Sequence, residues 1–450
     1  MISQALARFG GAPALPRGSA LHGLGTWPDV QQSDLAAVQG VLSAEQAPWG
    51  FLHPAVREFS AAIAGKLGCS QALPVASGTA ALHLAVASLG LPPGTKVLTS
   101  VLGYVASAAC ILHHQCVPVF ADVDPVTFNL CPESVRQHLS ADVGALLAVD
   151  LLGLPADFDA LRAATSLPII EDASHSIGAS YHGRPAGSLG DISGASLMAT
   201  KVVPSCGEAG VVATNRQDLY ARMLDHASLG MRIWDGAGPL PIAHDLGFNY
   251  RPSPVNLAFA QSQLRRAGHY QRLRQDRVRQ FESAVAGIDF LEWPRVPQGL
   301  TSTHYMYRAR VLPQALDLPP HWAQHLRDAV VFLATGEGAA IGFWEEQLLV
   351  DMPLFRTHSG EPKHPCWRFT TGSNVEYDAR AYPRARAVLD SYFMPMIARA
   401  THSEAFVERQ ACVYQKLAEH RGSLREITAK IAAAGGFEQL VGTSVRNLPV

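Results

Sequence analysis

Lys201, in Ser196-Leu197-Met198-Ala199-Thr200-Lys201, is an amine flanked by uncharged residues, and Asp172 closes the apolar run Leu167-Pro168-Ile169-Ile170-Glu171-Asp172. An amine in such a setting can hold an aldehyde as a Schiff base, and desolvation or cationic neighbours would lower its pKa toward the nucleophilic form. A carboxylate at the end of an apolar strand needs a partner, because burying an unpaired charge is costly. Together the two residues meet the needs of pyridoxal phosphate: a lysine for its aldehyde, and an aspartate that keeps its pyridine nitrogen protonated so that the ring accepts electrons. Taken singly, Asp172 also fits a helix cap or a structural ion pair.

Other stretches add contacts in the order such a site requires. Ser77-Gly78-Thr79-Ala80-Ala81-Leu82 follows a strand and opens a helix, so the Gly78 and Thr79 amides point at whatever lies above the helix N-terminus. That geometry suits a phosphate, and it also serves as a plain N-cap. Ser196 places a hydroxyl for the same phosphate a few residues before the Lys201 amine. Tyr104, in Leu102-Gly103-Tyr104-Val105-Ala106-Ser107, can lay its ring on a planar cofactor or pack as a half-buried helix aromatic. His175, one helical turn past Asp172, can bond the cofactor's phenolic oxygen or simply pack.

These residues must be positioned by a sheet. Apolar runs at Leu73–Ala76, Lys96–Thr99, Val117–Val123, Ala145–Val149, Pro168–Glu171, Gly194–Met198 and Gly210–Thr214 alternate with helical segments. That pattern predicts a mostly parallel sheet with helices on both faces, with ligands beyond the carboxyl ends of its strands. Ser253-Pro254 starts a further helix, Ser as N-cap and Pro at the first helical position, running to near Arg279 as a bridge between domains. The expected organisation is a large α/β domain with its N-terminal segment over 1–265. Residues 266–450 then hold the interdomain helix, a smaller α+β domain with a strand at Tyr305–Val311, and a helical C-terminus with Phe406–His420 as its clearest amphipathic piece.

Composition excludes several classes. With 48% hydrophobic and 16% charged residues the chain reads as a well-buried globular enzyme. A formal net charge of -2 gives no global reason to seek nucleic acid or a membrane surface. The seven cysteines form no C-x-x-C pair, and neither a signal peptide nor an apolar run of spanning length is present, so a cytoplasmic protein with reduced thiols is expected.

On Phe9-Gly10-Gly11, Trp27-Pro28, Ser77-Gly78-Thr79-Ala80-Ala81-Leu82, Pro118-Val119-Phe120-Ala121-Asp122-Val123-Asp124, Glu171-Asp172-Ala173, Gly187-Ser188-Leu189-Gly190-Asp191, Ser196 with Lys201, and Gly247-Phe248-Asn249-Tyr250-Arg251, the chain resembles the DegT/DnrJ/StrS family over roughly residues 9–400. These are fold-type-I pyridoxal phosphate aminotransferases, aspartate aminotransferase-like in fold, that act on keto-sugars and ketocyclitols. The resemblance implies that Lys201 carries the cofactor, that Asp172 pairs with its ring nitrogen, that Tyr104 stacks on the ring and that His175 lies near the phenolic oxygen. Gly78, Thr79 and Ser196 would hold the phosphate, joined by Asn249 from a second copy, which implies a homodimer with shared sites. His304, Tyr305 and Arg251 fall in segments that in similar enzymes approach the substrate. Asp150, Ala209 and Pro254 depart from the family pattern at places expected to lie close enough to shift substrate recognition.

The reaction so implied is a ping-pong transfer: glutamate or glutamine gives its amine to the cofactor, the keto acid leaves, and a ketone receives the amine, with Lys201 moving the protons. Alternatives are a keto-sugar dehydratase, in whose relatives histidine replaces the lysine, and a non-catalytic binding or regulatory member. His358, His364 and Cys366 match no standard zinc spacing, so no metal is expected. Arg265, Arg266, Arg272, Arg274, Arg277 and Arg279 are read as a solvated helix face, with attraction of a phosphorylated substrate as the other reading.

Overall fold

The computed structural model describes residues 5–15, 25–44, 50–231, 243–345, 347–355 and 377–448. Seven strands form the main sheet in the spatial order Gln71–Val75, Gly210–Thr214, Ile192–Ser196, Ile169–Asp172, Val143–Val149, Lys96–Ser100, Val117–Ala121. Six run parallel, and Gly210–Thr214 alone is antiparallel to both its neighbours. Every residue of Ile169–Asp172 and of Gly210–Thr214 is buried. Helices on both faces exclude water, which is why these strands read as apolar runs rather than as alternating patterns. Strand ends differ from the sequence expectation by two residues or so, while the set of strands is the one expected.

Because the central strands are parallel, their carboxyl ends share one edge. Helix Gly78–Ser88 starts at that edge and packs over the Ile192–Ser196 strand. All its residues except Thr79 are buried, so it is apolar around its whole circumference. The Ser77 hydroxyl accepts the Ala80 amide at 3.1 Å as its N-cap.

The expected bridging helix spans Pro254–Val285, longer than predicted and about 48 Å from end to end. Ser253 caps it, and Pro254 occupies its first position, where a missing amide hydrogen costs nothing. Its first half buries Leu257, Ala260 and Ala267 in the core of the main sheet; its second half buries Val278, Phe281 and Val285 in a separate core. The boundary expected after residue 265 therefore falls inside one continuous helix.

The second core surrounds a four-stranded sheet in the order Leu291–Glu292, Ala309–Val311, Tyr392–Pro395, Ile341–Gly342. Helices Ala323–Gly336, Glu404–Glu419 and Arg421–Ala433 close it. The strand expected over Tyr305–Val311 is paired only at Ala309–Val311. Upstream the chain leaves the sheet: His304 takes a left-handed φ of 48°, and Thr303 turns its hydroxyl to the His175 carbonyl at 2.6 Å. That excursion delivers Tyr305 to the edge of the main sheet.

Candidate active site

Beyond the carboxyl ends of the strands lies a cavity of about 550 Å³. Gly78, Thr79, Tyr104, Asp172, His175, Ser196, Lys201 and Tyr305 all line it, so most of the residues singled out from the sequence meet there. Asn249, Arg251 and His304 do not. Asn249 is exposed, its side-chain oxygen accepting the Arg251 amide at 3.4 Å, and Arg251 is exposed as well. His304 faces a separate small pocket against Leu152 and Arg308. His358, His364 and Cys366 lie outside the described residues.

Asp172 is 4% exposed. One carboxylate oxygen accepts the Ser107 hydroxyl at 2.7 Å, and the other accepts the Ser174 amide at 3.1 Å. These bonds fix the carboxylate and leave lone pairs for a further donor, as a protonated pyridine nitrogen requires. A cradle forms where Gly78 and Ser196 touch: a Cβ on Gly78 would stand 2.5 Å from the Ser196 Cβ, so only glycine fits. The N-terminal amides of the helix, the Thr79 side chain and the Ser196 hydroxyl border this space, a donor set that suits a phosphate and fits pyridoxal phosphate.

The Lys201 amine lies 4.8 Å from the centre of the Tyr305 ring. Tyr305 in turn stacks on His175 with ring centres 4.5 Å apart and planes inclined by 24°. Trp344 meets the His175 ring edge-on at 5.6 Å. Burial, and then the Lys201 charge, holds the His175 imidazole well below its ordinary pKa, so the ring is neutral near neutral pH. Its Nδ1 is buried without a partner among the described residues, a vacancy that a cofactor oxygen can fill. The loop bearing Lys201 is pinned from a distance: Trp27 donates its indole hydrogen to the Lys201 carbonyl at 3.0 Å.

Sequence reasoning missed Ser107, Ser174, Met306 and Trp344, all of which line the cavity. Ser107 was legible in principle, lying three residues past Tyr104 and thus on the same face of the same turn. Tyr104 lines the cavity with 58% of its surface exposed.

None of the three departures lines the cavity. Asp150 is fully buried, accepting the Ser176 hydroxyl at 2.6 Å and the Ala156 amide at 2.9 Å. Burial and the charge of Glu171 raise its carboxyl well above the ordinary range. Glu171 itself accepts the Gly187, Leu189 and Gly190 amides, which explains the Gly187–Asp191 motif as a turn wrapped around one buried carboxylate. Ala209 is buried and Pro254 begins a helix. Their side chains pack rather than line the cavity, yet Asp150 and Ala209 directly follow the lining residues Val149 and Glu208, so any effect on recognition acts through those neighbours. The arginine series also differs from a uniform solvated face. Arg266 pairs with the buried Asp34 at 2.7 Å and Arg277 with Glu404 at 3.0 Å, while Arg274 is only 4% exposed.

The model of the DegT/DnrJ/EryC1/StrS aminotransferase family matches residues 28–327. The L-glutamine:2-deoxy-scyllo-inosose aminotransferase of Streptomyces fradiae is 30% identical over 377 residues, covering 80% of this chain and 85% of that one. The enzyme of the same name from Streptoalloteichus tenebrarius is 32% identical over 299 residues, 63% of this chain and 70% of its own. GDP-perosamine synthase of Caulobacter vibrioides is 34% identical over 264 residues, 56% and 68% of the two chains. Among solved structures, an aminotransferase from Psychrobacter cryohalolentis superposes with a TM-score of 0.76 at 23% identity, covering 88% of this chain and 99% of that one. A putative sugar aminotransferase from Streptococcus pneumoniae, in its PMP form, gives 0.75 at 19% identity, covering 89% and 98%. These structures share the fold-type-I architecture, and the family match together with the relatives' extent shows that the chain belongs to the DegT/DnrJ/EryC1/StrS family of pyridoxal phosphate-dependent aminotransferases.

Proposed function

We propose that the protein transfers the amino group of glutamine, or of glutamate, to a ketocyclitol or keto-sugar. The observation that carries the reading is the meeting of Lys201, Asp172 and the Gly78–Ser196 cradle in one cavity. Glutamine as donor is supported by the names of the Streptomyces fradiae and Streptoalloteichus tenebrarius relatives, and a cyclic ketone as acceptor by those and by GDP-perosamine synthase.

When bound, pyridoxal phosphate supplies a carbonyl for the amine and a ring that stores the electron pair released at the donor α-carbon. The helix amides at Gly78 and Thr79 and the Ser196 hydroxyl anchor its phosphate. Asp172 holds a proton at the ring nitrogen, and the Ser107 hydroxyl keeps that carboxylate aimed. The Lys201 Nζ would hold the cofactor's carbonyl carbon and, when free, would accept and return the proton of the donor α-carbon. Tyr305 and the neutral His175 form the wall along which that amine swings.

The same reading includes a homodimer in a reducing cytoplasm. Asn249 and Arg251 stand outside their own chain's cavity, and the strip that carries them exposes Leu246 at 77% and Leu229 at 41%. A second copy covering this strip would bury those side chains and let Asn249 of the partner subunit reach the phosphate. Among the described residues no helix is long and apolar enough to cross a membrane.

The test is spectroscopic. Glutamine added without acceptor must convert the Lys201-bound cofactor to its amine form, and a panel of ketocyclitols and nucleotide-linked keto-sugars must then reverse the change selectively. Lys201→Ala must lose the bound-cofactor absorbance and turnover together; a fully active Lys201→Ala enzyme refutes the assignment.

A further inference from the structure

A second chamber of about 240 Å³ adjoins the cofactor cavity, and Thr200, Tyr305 and Met306 line both. Its remaining walls are largely apolar, from Met394 to Ala398, but Arg274, Arg399 and His402 also face it. Arg274 projects from the long helix and is 4% exposed. Its guanidinium carbon lies 4.7 Å from the centre of the Trp27 ring, and its Nη1 is buried with no hydrogen-bond partner among the described residues.

An arginine stays charged even here, since burial brings its pKa only down to about 10. The groups that offset this are Tyr305 and Tyr270, not a carboxylate. Taking a guanidinium out of water without an anion is costly, and a protein interior keeps such a group where something supplies the missing charge. His402 adds a second polar group: its Nδ1 accepts the Arg399 amide at 3.3 Å, and its ring also meets the Ile397 backbone. No acidic side chain is among the residues lining the chamber. Among the described residues the chamber's charged groups are all positive.

We propose that this chamber is the carboxylate-binding subsite of the enzyme, in which Arg274 receives a carboxylate of the substrate that reacts at Lys201. A planar carboxylate matches the guanidinium fork, and a single buried guanidinium balances one negative charge rather than the two of a phosphate monoester. Arg399, exposed at the rim, adds positive potential at the entrance. Trp27 joins the subsite to the chemistry: its ring face meets Arg274, and its indole hydrogen bonds the Lys201 carbonyl. The carboxylate can belong to the donor amino acid or to the ketone acceptor, and the inference rests on the neighbouring cavity being the amino-transfer site.

The experiment uses the cofactor-loaded enzyme and its Arg274→Gln variant, with each half-reaction followed separately in single turnover. The cofactor absorbance of both proteins is recorded first; its absence from the wild type would count against the amino-transfer reading rather than against the subsite. Expected is an unchanged absorbance, a melting temperature equal to or above that of the wild type because an unpaired buried charge has been removed, and a half-saturating substrate concentration raised about 10- to 150-fold in one half-reaction. A rise with glutamine assigns the subsite to the donor, and a rise with the ketone assigns it to the acceptor. Unchanged half-saturation in both half-reactions overturns the proposal. Independently of any variant, glutarate must compete with the substrate far better than its neutral diamide does on the wild-type enzyme, and equal competition overturns the proposal as well. Arg274→Lys, which keeps the charge but loses the fork, is expected to recover part of the loss.

Discussion

Gly78→Ala isolates the phosphate cradle, because the perturbation is steric and small. The added Cβ would lie 2.5 Å from the Ser196 Cβ, 2.9 Å from its Cα and 3.0 Å from its Oγ. Carbon atoms rest about 3.5–4.0 Å apart, so the helix N-terminus and the strand end must separate by about 1 Å. Neither moves freely: the Ser196 amide is held by the Ser174 hydroxyl at 3.0 Å, and all of helix Gly78–Ser88 but Thr79 is buried. Overpacking of this kind costs about 1–3 kcal/mol and should lower the melting temperature of the apoprotein. The displaced amides also lose a charge-assisted bond to the phosphate, about 1.5–3 kcal/mol, which weakens pyridoxal phosphate binding about 10- to 150-fold. Equilibrium titration of apoprotein with cofactor measures the second effect, and thermal melting measures the first. Gly103→Ala is the control: it directly precedes the cavity-lining Tyr104, with nothing within 4 Å of its added Cβ. If Gly78→Ala binds cofactor as tightly as the wild type, or if Gly103→Ala weakens it equally, the cradle is misassigned.

Other outcomes follow from individual contacts. Ser107→Ala removes the 2.7 Å bond to Asp172; a bond to a charged group is worth about 1.5–3 kcal/mol, so slower turnover and a shifted cofactor absorbance pH profile are expected, with Ser107→Thr restoring part of both. Asp150→Asn should change stability by less than about 1 kcal/mol in a denaturant titration, because the carboxyl is already raised toward its neutral form, whereas Asp150→Ala abandons the Ser176 and Ala156 donors and should cost about 2–3 kcal/mol. Burial lowers His83 to about 3 and His304 to about 4. The unfolded chain then takes up protons below pH 6.5 that the native state refuses, so stability falls as pH drops from 6.5 toward 4, by about 1.4 kcal/mol per unit for each such histidine. His83→Gln should flatten that slope in melting curves recorded across the range. Arg266→Ala removes the charge opposite the buried Asp34, whose carboxylate keeps the Gln31 amide and the Gln263 side chain, and should destabilise the protein by about 1–3 kcal/mol in chemical denaturation.

The main sheet was legible because parallel strands covered on both faces must be apolar along their whole length, and Ile169–Asp172 and Gly210–Thr214 carry that requirement in their composition. Lys201, Asp172 and Gly78 were legible for a related reason: each is polar or lacks a side chain at or just beyond a strand end, where the surrounding sequence is apolar. Trp27, Trp344 and Arg274 were not. Their positions depend on elements far apart in the chain, and an arginine on a long helix reads as solvent-facing unless the aromatic ring covering it is known. Tyr305, expected near the substrate and found lining the cavity, was assigned to a strand. The left-handed turn at His304 that lifts it out of the sheet leaves no signature in hydrophobic periodicity. His304 and Arg251, adjacent in sequence to residues of the site or of its motifs, show that neighbourhood along the chain does not imply neighbourhood in the cavity.

Helix Pro254–Val285 donates side chains to two cores, and this has a bearing on how the molecule comes apart. Neither core is complete without its share of the helix, Leu257, Ala260 and Ala267 on one side and Val278, Phe281 and Val285 on the other. Loss of one core frays half of a rod whose other half is still held, and the intervening turns, with Tyr270 and Arg274 between the two groups, must absorb the break. Arg274 sits at the junction of the two halves, so loss of either core removes one of the two anchors that hold its chamber in place.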